Sequence, residues 1–197
     1  MKREQLPELH YIAPIANVPS IRIHGILSHN RAEIVQHQSV AMQEIQERRA
    51  KVVVPGGKRL HDYVNLYIHA RNPMMYVRRA NHINLCVLRI STDVLDLPGV
   101  VVTDGNASSS YVLFVQAPRG LEIIDRELAF ANNWTDPDPI EHWRRKSARC
   151  SEVLVPDRVA PRFITGAFVS CQESRDTLTS TLPAPNIALE IVVNNHL

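Results

Sequence analysis

The stretch Glu152-Val153-Leu154-Val155-Pro156 places a carboxylate at the head of an apolar, β-branched run. Such a run is typical of a strand that enters a protein core, so the pattern predicts that Glu152 is at least half shielded from water. Shielding strengthens every charge–charge interaction that the group makes. A carboxylate in this position can therefore stabilise a positive charge that appears only in a transition state. The same stretch also allows a plainer interpretation, in which Glu152 lies at the rim and pairs with Arg149 or Arg145.

The composition is that of one domain of ordinary size. The chain has 197 residues, of which 45% are hydrophobic and 21% are charged, and its formal net charge is +2. That length and apolar content fit one compact domain with a sizeable core, or at most one domain with a long flexible insert. The near balance of charge argues against a general nucleic-acid-binding protein, so basic character directed at such a partner must be local.

The cysteines and histidines do not follow a metal-binding pattern. The three cysteines, Cys86, Cys150 and Cys171, are scattered and odd in number, which favours a reducing compartment. The nine histidines match no zinc spacing, so we expect no metal. The basic start is not followed by a signal-peptide-like apolar segment, and no run approaches the roughly 20 apolar residues of a membrane span. These features predict a soluble, cytoplasmic protein.

The segments along the chain predict a mixed α+β domain in which strands outnumber long helices. Alternation and apolar runs predict strands at 9–12, 61–70, 85–90, 100–103, 152–155, 163–170 and 187–193. Helical spacing and capping residues predict helices at 18–25, 38–51 and from 135 to about 149, and a short helix behind Asn72-Pro73. The turn signal Asp104-Gly105-Asn106 closes the strand at 100–103, and 111–115 is compatible with helix or strand.

The predicted helix over 38–51 carries two adjacent arginines, of which only one can face inward. Arg49 shares a stripe with Met42 and Ile45, whereas Arg48 lies with Ala41 and Glu44. The apolar stripe is expected to face the core, so Arg49 is the arginine drawn into a cleft. An inward guanidinium needs an anionic partner, either a buried carboxylate or a phosphate-bearing ligand. The alternative is an arginine that snorkels at the edge of the helix.

The segment Tyr63-Val64-Asn65-Leu66-Tyr67-Ile68-His69 alternates with a period of two. The tyrosines, the asparagine and the histidine share one face, and the aliphatic residues share the other. The first face suggests a cleft wall on which rings stack against a nicotinamide or a base. The pattern is also that of the solvated face of a half-covered sheet.

A basic group precedes Glu152. It consists of Arg144, Arg145, Lys146 and Arg149, with Trp134 and Trp143 nearby. Such a group can hold a phosphate backbone while a ring stacks on a base. Cations in the last turns of a helix also complement the helix macrodipole, so the same residues fit an ordinary helix end.

Together these segments resemble the DarT family, the DNA ADP-ribosyltransferase toxins of DarT–DarG toxin–antitoxin systems. The matching pieces follow family order through most of the chain: Tyr11-Ile12, Asn17, Gln46-Glu47-Arg48-Arg49, Lys51-Val52, Pro55-Gly56-Gly57, Leu60-His61-Asp62-Tyr63-Val64, Tyr67, Pro73-Met74-Met75-Tyr76, Thr103-Asp104, Trp134, Asp136-Pro137 and Glu152-Val153-Leu154-Val155. The stretch from His-Asp-Tyr-Val to Pro-Met is the most specific of them.

The resemblance implies an α+β ADP-ribosyltransferase fold, in which a split central β-sheet with flanking helices surrounds an NAD cleft, and a single domain over 1–197. It places the family's catalytic glutamate on Glu152 and its catalytic arginine, also a cofactor contact, on Arg49. Tyr67 and Met74 fall on cleft positions beside the cofactor. Asn106 falls on a DNA-side contact.

The resemblance also places cofactor contacts on and after the first strand, at His10, Tyr11, Ile12 and Asn17. Family members commonly have a histidine directly before the Ile-Thr of this strand, whereas here Tyr11 precedes Ile12 and His10 lies one residue earlier. Because consecutive strand residues point to opposite faces, only one of His10 and Tyr11 can meet the nicotinamide end.

The function implied is transfer of ADP-ribose from NAD, used as a co-substrate without a metal, to a base in single-stranded DNA. Thymine is the first expected target and guanine the second, and the DNA contacts are expected at Asn106, Trp134, Arg144, Arg145, Lys146 and Arg149. The resemblance further implies a macrodomain antitoxin of the DarG type as a partner and no membrane contact. Three alternatives stay open: an NAD-dependent RNA 2′-phosphotransferase, a non-catalytic single-strand-binding module and a protein-directed transferase.

Overall fold

A computed structural model describes residues 1–39, 42–182 and 189–197, and the fold is mixed α+β with helices around one large sheet. The strands are β1 (Leu9–Pro14), β2 (Ile26–Leu27), β3 (Tyr63–Tyr67), β4 (Leu85–Ile90), β5 (Val101–Thr103), β6 (Phe114–Gln116), β7 (Glu152–Pro156), β8 (Arg158–Val159), β9 (Ile164–Val169) and β10 (Glu190–Val193). The helices are α1 (Val18–His24), α2 (His29–Ala32), α3 (Gln43–Ala50), α4 (Pro73–Val77), α5 (Arg126–Ala129), α6 (Pro139–Ala148) and α7 (Gln172–Thr181). Strands β2 and β8 form a separate two-stranded sheet.

The central sheet is split between β1 and β3. Its strand order is β10-β9-β4-β1-β3-β7-β5-β6. Strand β1 pairs with β4 over six residue pairs and β3 pairs with β7 over five, whereas β1 meets β3 at the single pair His10 and Tyr67. Beyond this point the two halves lack ladder hydrogen bonds to hold them side by side, so they diverge. The split sheet that the family resemblance implied is therefore confirmed, and the gap forms a cleft.

Strand β3 carries the predicted alternation. Val64 and Leu66 belong to the main core, although Val64 also reaches the cleft, and Tyr63, Asn65 and Tyr67 line the cleft. The strand is shorter than the predicted span of 61–70 because a 3₁₀ turn, Leu60–Asp62, precedes it. The chain also turns away after Tyr67 into the loop that leads to α4.

That loop is closed by a side-chain cap on α4. The Asn72 side chain accepts hydrogen bonds from Met74 N and Met75 N and donates to His69 O and Ala70 O. These bonds satisfy free backbone groups at a helix start, which is why asparagine is favoured there. The predicted short helix behind Asn72-Pro73 is confirmed.

Several predicted boundaries differ from the observed ones. The helix predicted over 38–51 is described only from Gln43, and its residues 40 and 41 lie outside the described ranges. The helix predicted from 135 begins at Pro139, because the Asp138 side chain caps Ile140 N and Glu141 N. Of the strand predicted over 187–193, residues 187 and 188 lie outside the described ranges, and β10 begins at Glu190.

Helix α1 ends at the predicted glycine. Gly25 has φ of 81°, a left-handed value that side chains rarely adopt, and a Cβ there would overlap the carbonyl oxygen of Val159. The glycine therefore lets the chain pass directly from α1 into β2, which pairs with β8.

Within the described ranges, no helix has the length and apolar content that crossing a bilayer requires.

Candidate active site

Arg49, which lines the cleft, forms a buried ion pair with Glu152 directly behind it. Arg49 Nη1 lies 3.2 Å from Glu152 Oε1, and Arg49 Nη2 lies 3.1 Å from Glu152 Oε2. The side chains are 7% and 0% exposed. Two parallel N–H···O bonds fix the orientation of both groups, which a single bond cannot do. The predicted shielding of Glu152 and the inward orientation of Arg49 are therefore confirmed, and the rim alternative with Arg149 or Arg145 is not what forms.

The reason for the orientation of Arg49 differs from the predicted one. Met42, expected on the same inward stripe, is the residue before α3 and is 40% exposed. Arg49 is held inward by the Glu152 carboxylate rather than by an apolar stripe. Arg48 lies on the outside of the helix, where its guanidinium pairs with Glu44 at 3.1 Å.

Backbone and side-chain bonds from β5 and the loop after it hold Glu152. Ala107 N donates to Glu152 Oε1 at 3.3 Å, and Glu152 N donates to Thr103 Oγ1 at 3.2 Å. Thr103 Oγ1 donates in turn to Gly105 O at 2.7 Å. The predicted turn at 104–106 thus brings the β5–β6 loop to the carboxylate, and it is this loop that carries Asn106 to the cleft.

Burial and the ion pair determine the protonation states of Arg49 and Tyr67. Burial lowers the pKa of Arg49, but the adjacent Glu152 carboxylate raises it more, so the pKa of the guanidinium lies above its ordinary value. Burial, and then the Glu152 charge, raise the pKa of the Tyr67 hydroxyl. Arg49 is therefore a permanent cation, and Tyr67 is a neutral hydrogen-bond donor at neutral pH.

The structure brings most predicted cofactor residues to one cleft. Tyr11, Ile12, Asn17, Tyr67 and Met74 all line it together with the catalytic candidate arginine. Their roles toward a cofactor stay predictions. What the structure adds is their convergence from β1, β3 and α4.

Asn17 also organises the cleft entrance. Its side chain donates to Gln38 O at 2.8 Å and accepts from Gln38 N at 3.0 Å. These two bonds tie the end of the 3₁₀ turn Ile15–Asn17 to the segment before α3. Asn17 therefore positions a cleft wall, and Gln38 itself lines the cleft.

The prediction that His10 contacts the cofactor is not supported by its position. His10 does not line the cleft; its Nε2 lies 3.3 Å from Glu8 Oε1, and its ring stacks on Phe168. The reason is strand geometry: Tyr11 faces the gap beside β3, and its neighbour points to the other side of the sheet. Between the two candidates of the first strand, Tyr11 is the one that lines the cleft together with Arg49.

A histidine pair in the cleft was missed by sequence reasoning. The rings of His29 and His61 lie 4.1 Å apart, and both residues line the cleft. Burial, and then the charges of His29 and Arg49, lower the pKa of His61. His61 stands in the most specific family-like stretch of the chain, but its contact with α2 depends on tertiary packing that no local pattern reveals.

The predicted basic group divides into two parts. Arg144 and Lys146 are exposed on α6, and Arg145 is half-buried. Arg144 pairs with Glu141 at 3.6 Å and Asp125 at 3.9 Å, and Arg145 pairs with Asp136 at 3.2 Å. Their DNA contacts stay predictions.

Arg149 and Trp134 do not share that surface. Arg149 is 2% exposed, its Nη1 donates to Ala129 O at 2.6 Å, and its guanidinium lies over the Trp134 ring. Trp134 is itself 9% exposed. Arg149 and neighbouring side chains cover the Trp134 ring, so of the two tryptophans near the basic group only Trp143, 51% exposed, has an open ring, and the DNA contact of Trp134 stays a prediction.

Comparison with known protein families identifies the family of this chain. The family model described as "DarT: ssDNA thymidine ADP-ribosyltransferase, DarT" matches residues 10–197. The chain belongs to the DarT family. Its split sheet is accordingly the ADP-ribosyltransferase fold.

This DarT-family chain is similar to two curated relatives. A DNA ADP-ribosyl transferase-DNA ADP-ribosyl glycohydrolase fusion protein of Thermosipho africanus is 30% identical over 192 residues, which are 91% of this chain and 47% of the fusion protein. A DNA ADP-ribosyl transferase of Thermus sp. is 33% identical over 141 residues, 66% of this chain and 67% of that relative. The chain thus spans about half the length of the fusion protein.

A solved structure agrees over nearly the whole chain. Thermus sp. 2.9 DarT in complex with ADP-ribosylated ssDNA superimposes with a TM-score of 0.80 at 26% identity, and the match covers 98% of each chain. The predicted fold class is therefore confirmed.

Proposed function

We propose that this chain transfers ADP-ribose from NAD to thymine in single-stranded DNA and releases nicotinamide. The observation that carries the proposal is the buried pair that Glu152 forms with Arg49, which lines one cleft together with Tyr11, Tyr67 and Met74. The family description names thymidine and single-stranded DNA, and the Thermus structure is a complex with ADP-ribosylated ssDNA. We further propose that residues 1–197 form one domain of this kind, since the central sheet uses strands from β1 to β10.

The bond that breaks is the one between nicotinamide and the ribose C1′, and its electron pair leaves with nicotinamide. The ribose becomes oxocarbenium-like, and the fixed carboxylate of Glu152 stabilises it by holding a ribose hydroxyl. The field of a water-excluded carboxylate is stronger than that of an exposed one. Glu152 meets this condition, because its side chain is 0% exposed.

The bond that forms joins ribose C1′ to a ring nitrogen of the base. In thymine that nitrogen carries a proton, which must be lost for the nitrogen to become a good nucleophile. The proton leaves through the Arg49–Glu152 pair, with the carboxylate as its acceptor. Arg49, which stays cationic, compensates the negative charge that develops on the base or grips the pyrophosphate of NAD.

A direct assay tests the substrate class and the base together. Single-stranded oligonucleotides with one central thymine, guanine, adenine or cytosine, flanked by randomised adenine and cytosine, are incubated with NAD and the protein. We expect nicotinamide release and a mass increase of one ADP-ribose for the thymine oligonucleotide, and much less for its duplex, where unpairing costs a few kcal/mol.

The other outcomes of this assay are equally decisive. A guanine adduct in place of the thymine adduct would reject the base assignment and keep the reaction class. With RNA and protein incubated in parallel, modification of either one instead of DNA would reject the substrate class. Oligonucleotide binding with no nicotinamide release would reject the enzyme and favour a single-strand-binding module.

We propose in addition that the chain acts as a cytoplasmic toxin controlled by a macrodomain antitoxin of the DarG type. The support is the Thermosipho africanus relative, in which a transferase and a glycohydrolase are fused. A cell that contains unopposed DNA modification is expected to stop replicating. An enzyme that removes ADP-ribose from DNA undoes the modification that the transferase makes.

Co-expression in a bacterial host tests this pairing. The chain alone is expected to arrest growth and induce a DNA-damage response, whereas co-expression of the cognate macrodomain should restore growth and strip the adduct from DNA. The Glu152→Gln variant, at equal soluble yield, should be harmless without the partner. Equal tolerance of wild type and variant would reject the toxin role.

A further inference from the structure

A second cluster of cations and rings lies outside the cleft. The guanidiniums of Arg149 and Arg71 each lie 5.7 Å from the centre of the Trp134 ring. Tyr76 contacts the same ring edge-on at 5.9 Å, and the Arg79 guanidinium covers Tyr76 at 4.3 Å. Three guanidiniums and two aromatic rings therefore form one continuous arginine–aromatic surface, defined by Arg71, Tyr76, Arg79, Trp134 and Arg149.

The buried member of this surface lacks an anionic partner. Arg149 is 2% exposed, and no carboxylate of the described chain lies within ion-pair distance of it, in contrast to Arg49. Its Nε has no hydrogen-bond partner among the described residues. Burial, and then the charge of Arg71, lower the pKa of Arg149 to about 10, so the group is still a cation at neutral pH. A buried charge of this kind is costly unless an anion compensates it.

The neighbouring histidine cannot supply the compensation. His69 Nδ1 accepts hydrogen bonds from Arg71 N at 3.0 Å and Arg149 Nη2 at 3.2 Å, which requires an unprotonated nitrogen. Burial, and then the charges of Arg149 and His10, lower the pKa of His69 to about 4. The cluster is therefore cationic at neutral pH, with Arg71 and Arg79 exposed to solvent.

The position of this surface relates it to the cleft. Glu152 and Tyr67 are register partners across β7 and β3. Arg149 lies three residues before Glu152, and His69 lies two residues after Tyr67, so both stand close to the end of this strand pair. Met74 on α4 lines the cleft, and Tyr76 on the same helix belongs to the arginine–aromatic surface. A strand whose base enters the cleft therefore passes close to these cations.

We propose that the arginine–aromatic surface binds the phosphate–sugar backbone of the single strand beside the target base, with Tyr76 contacting a flanking base. Arginine supplies a planar, bidentate donor for phosphate, and exposed aromatic rings are the usual stacking partners of unpaired bases. Tyr76 is 54% exposed, unlike Trp134. Arg149 and Trp134, both predicted DNA contacts, form the buried part of this surface, and its exposed part takes the role that had been assigned to α6. The choice of single-stranded DNA as the ligand of this surface rests on the proposed function.

The test removes the two exposed cations together. Arg71→Gln/Arg79→Gln is expected to keep the thermal unfolding midpoint and to weaken binding of an unmodified single-stranded oligonucleotide. The slope of log affinity against log salt should flatten by about 0.7 for each phosphate that is no longer bound, or about 1.4 in all. Transfer should show a raised KM for the oligonucleotide with kcat retained. Tyr76→Ala should weaken binding on the order of tenfold without changing the salt slope.

A control variant and a variant of α6 show which of the two surfaces binds the DNA. Arg119→Gln removes an exposed cation whose partner is Glu122, and it should leave affinity and slope unchanged. Arg144→Gln/Lys146→Gln tests the α6 surface by the same measurement. An unchanged slope in Arg71→Gln/Arg79→Gln, or a flattened slope in the α6 variant alone, would overturn the proposal. Binding is measured without NAD, so wild-type protein that binds DNA but releases no nicotinamide would reject the proposed function and leave this test valid.

Discussion

Replacement of Glu152 by glutamine is expected to lower the rate of ADP-ribosyl transfer by about 10²–10³, the reduction typical of removing one preorganised electrostatic interaction. Glutamine has nearly the shape of glutamate but no negative charge. It can still accept the bond from Ala107 N, so the geometry of the β5–β6 loop is kept. The variant lacks the charge that stabilises the oxocarbenium-like ribose and accepts the proton of the base. The measurement is single-turnover nicotinamide release together with the mass of the oligonucleotide.

The choice of glutamine matters because Glu152 also neutralises a buried cation. Removal of one member of a buried ion pair destabilises a protein by about 3–5 kcal/mol, since the other charge is left uncompensated. Activity is therefore compared only at temperatures where circular dichroism shows that the variant is folded. Glu44→Gln is the matched control, because Glu44 pairs with Arg48 on the exposed side of α3. Near-normal turnover of folded Glu152→Gln, alongside normal turnover of the control, would remove Glu152 from the mechanism.

The features that sequence reasoning predicted correctly are those with a local cause. The burial of Glu152 follows from the apolar run that comes directly after it in the sequence. The two faces of β3 follow from the alternation of polar and apolar residues with a period of two. The stop of α1 follows from Gly25, whose conformation suits few other residues. Each of these depends on neighbours within a few positions along the chain.

The features that it left open or missed depend on distant partners. Which of His10 and Tyr11 faces the cleft is set by the register of β1 against β4 and by the gap beside β3. A change of one residue in register exchanges the two faces, and the sequence pattern of a short strand does not fix it. The pairing of His29 with His61 has the same origin.

The basic group before Glu152 shows the limit most clearly. Along the chain Arg149 is one of four similar cations, yet it alone of them is buried. The difference comes from Ala129 O and the Trp134 ring, 20 and 15 residues earlier, and from His69 on another strand end. The sequence shows that the whole run is basic, but tertiary packing decides which of its cations is buried.

Alanine substitutions of the two adjacent arginines of α3 are expected to have very different effects on activity and stability. Arg49→Ala should abolish detectable transfer and destabilise the fold by about 3–5 kcal/mol, because Glu152 is left as an unpaired buried anion. Arg48→Ala should retain transfer and cost about 0.3–0.5 kcal/mol, the value of an exposed pair one helical turn apart. Urea unfolding and nicotinamide release on both variants check the contrast. The reverse ranking would mean that the inward arginine has been misassigned.

Loss of activity in Arg49→Ala has two candidate causes, instability and missing chemistry, and a double variant separates them. Arg49→Met/Glu152→Leu replaces both charges by apolar side chains, so no uncompensated charge remains in the core. Such replacements of buried pairs are often neutral or stabilising by about 1–4 kcal/mol, so the double variant should be more stable than Arg49→Ala or Glu152→Ala. It should nevertheless release no nicotinamide. A stable, inactive double variant would show that the pair is retained for chemistry, whereas recovered transfer would show that neither charge acts on the substrate.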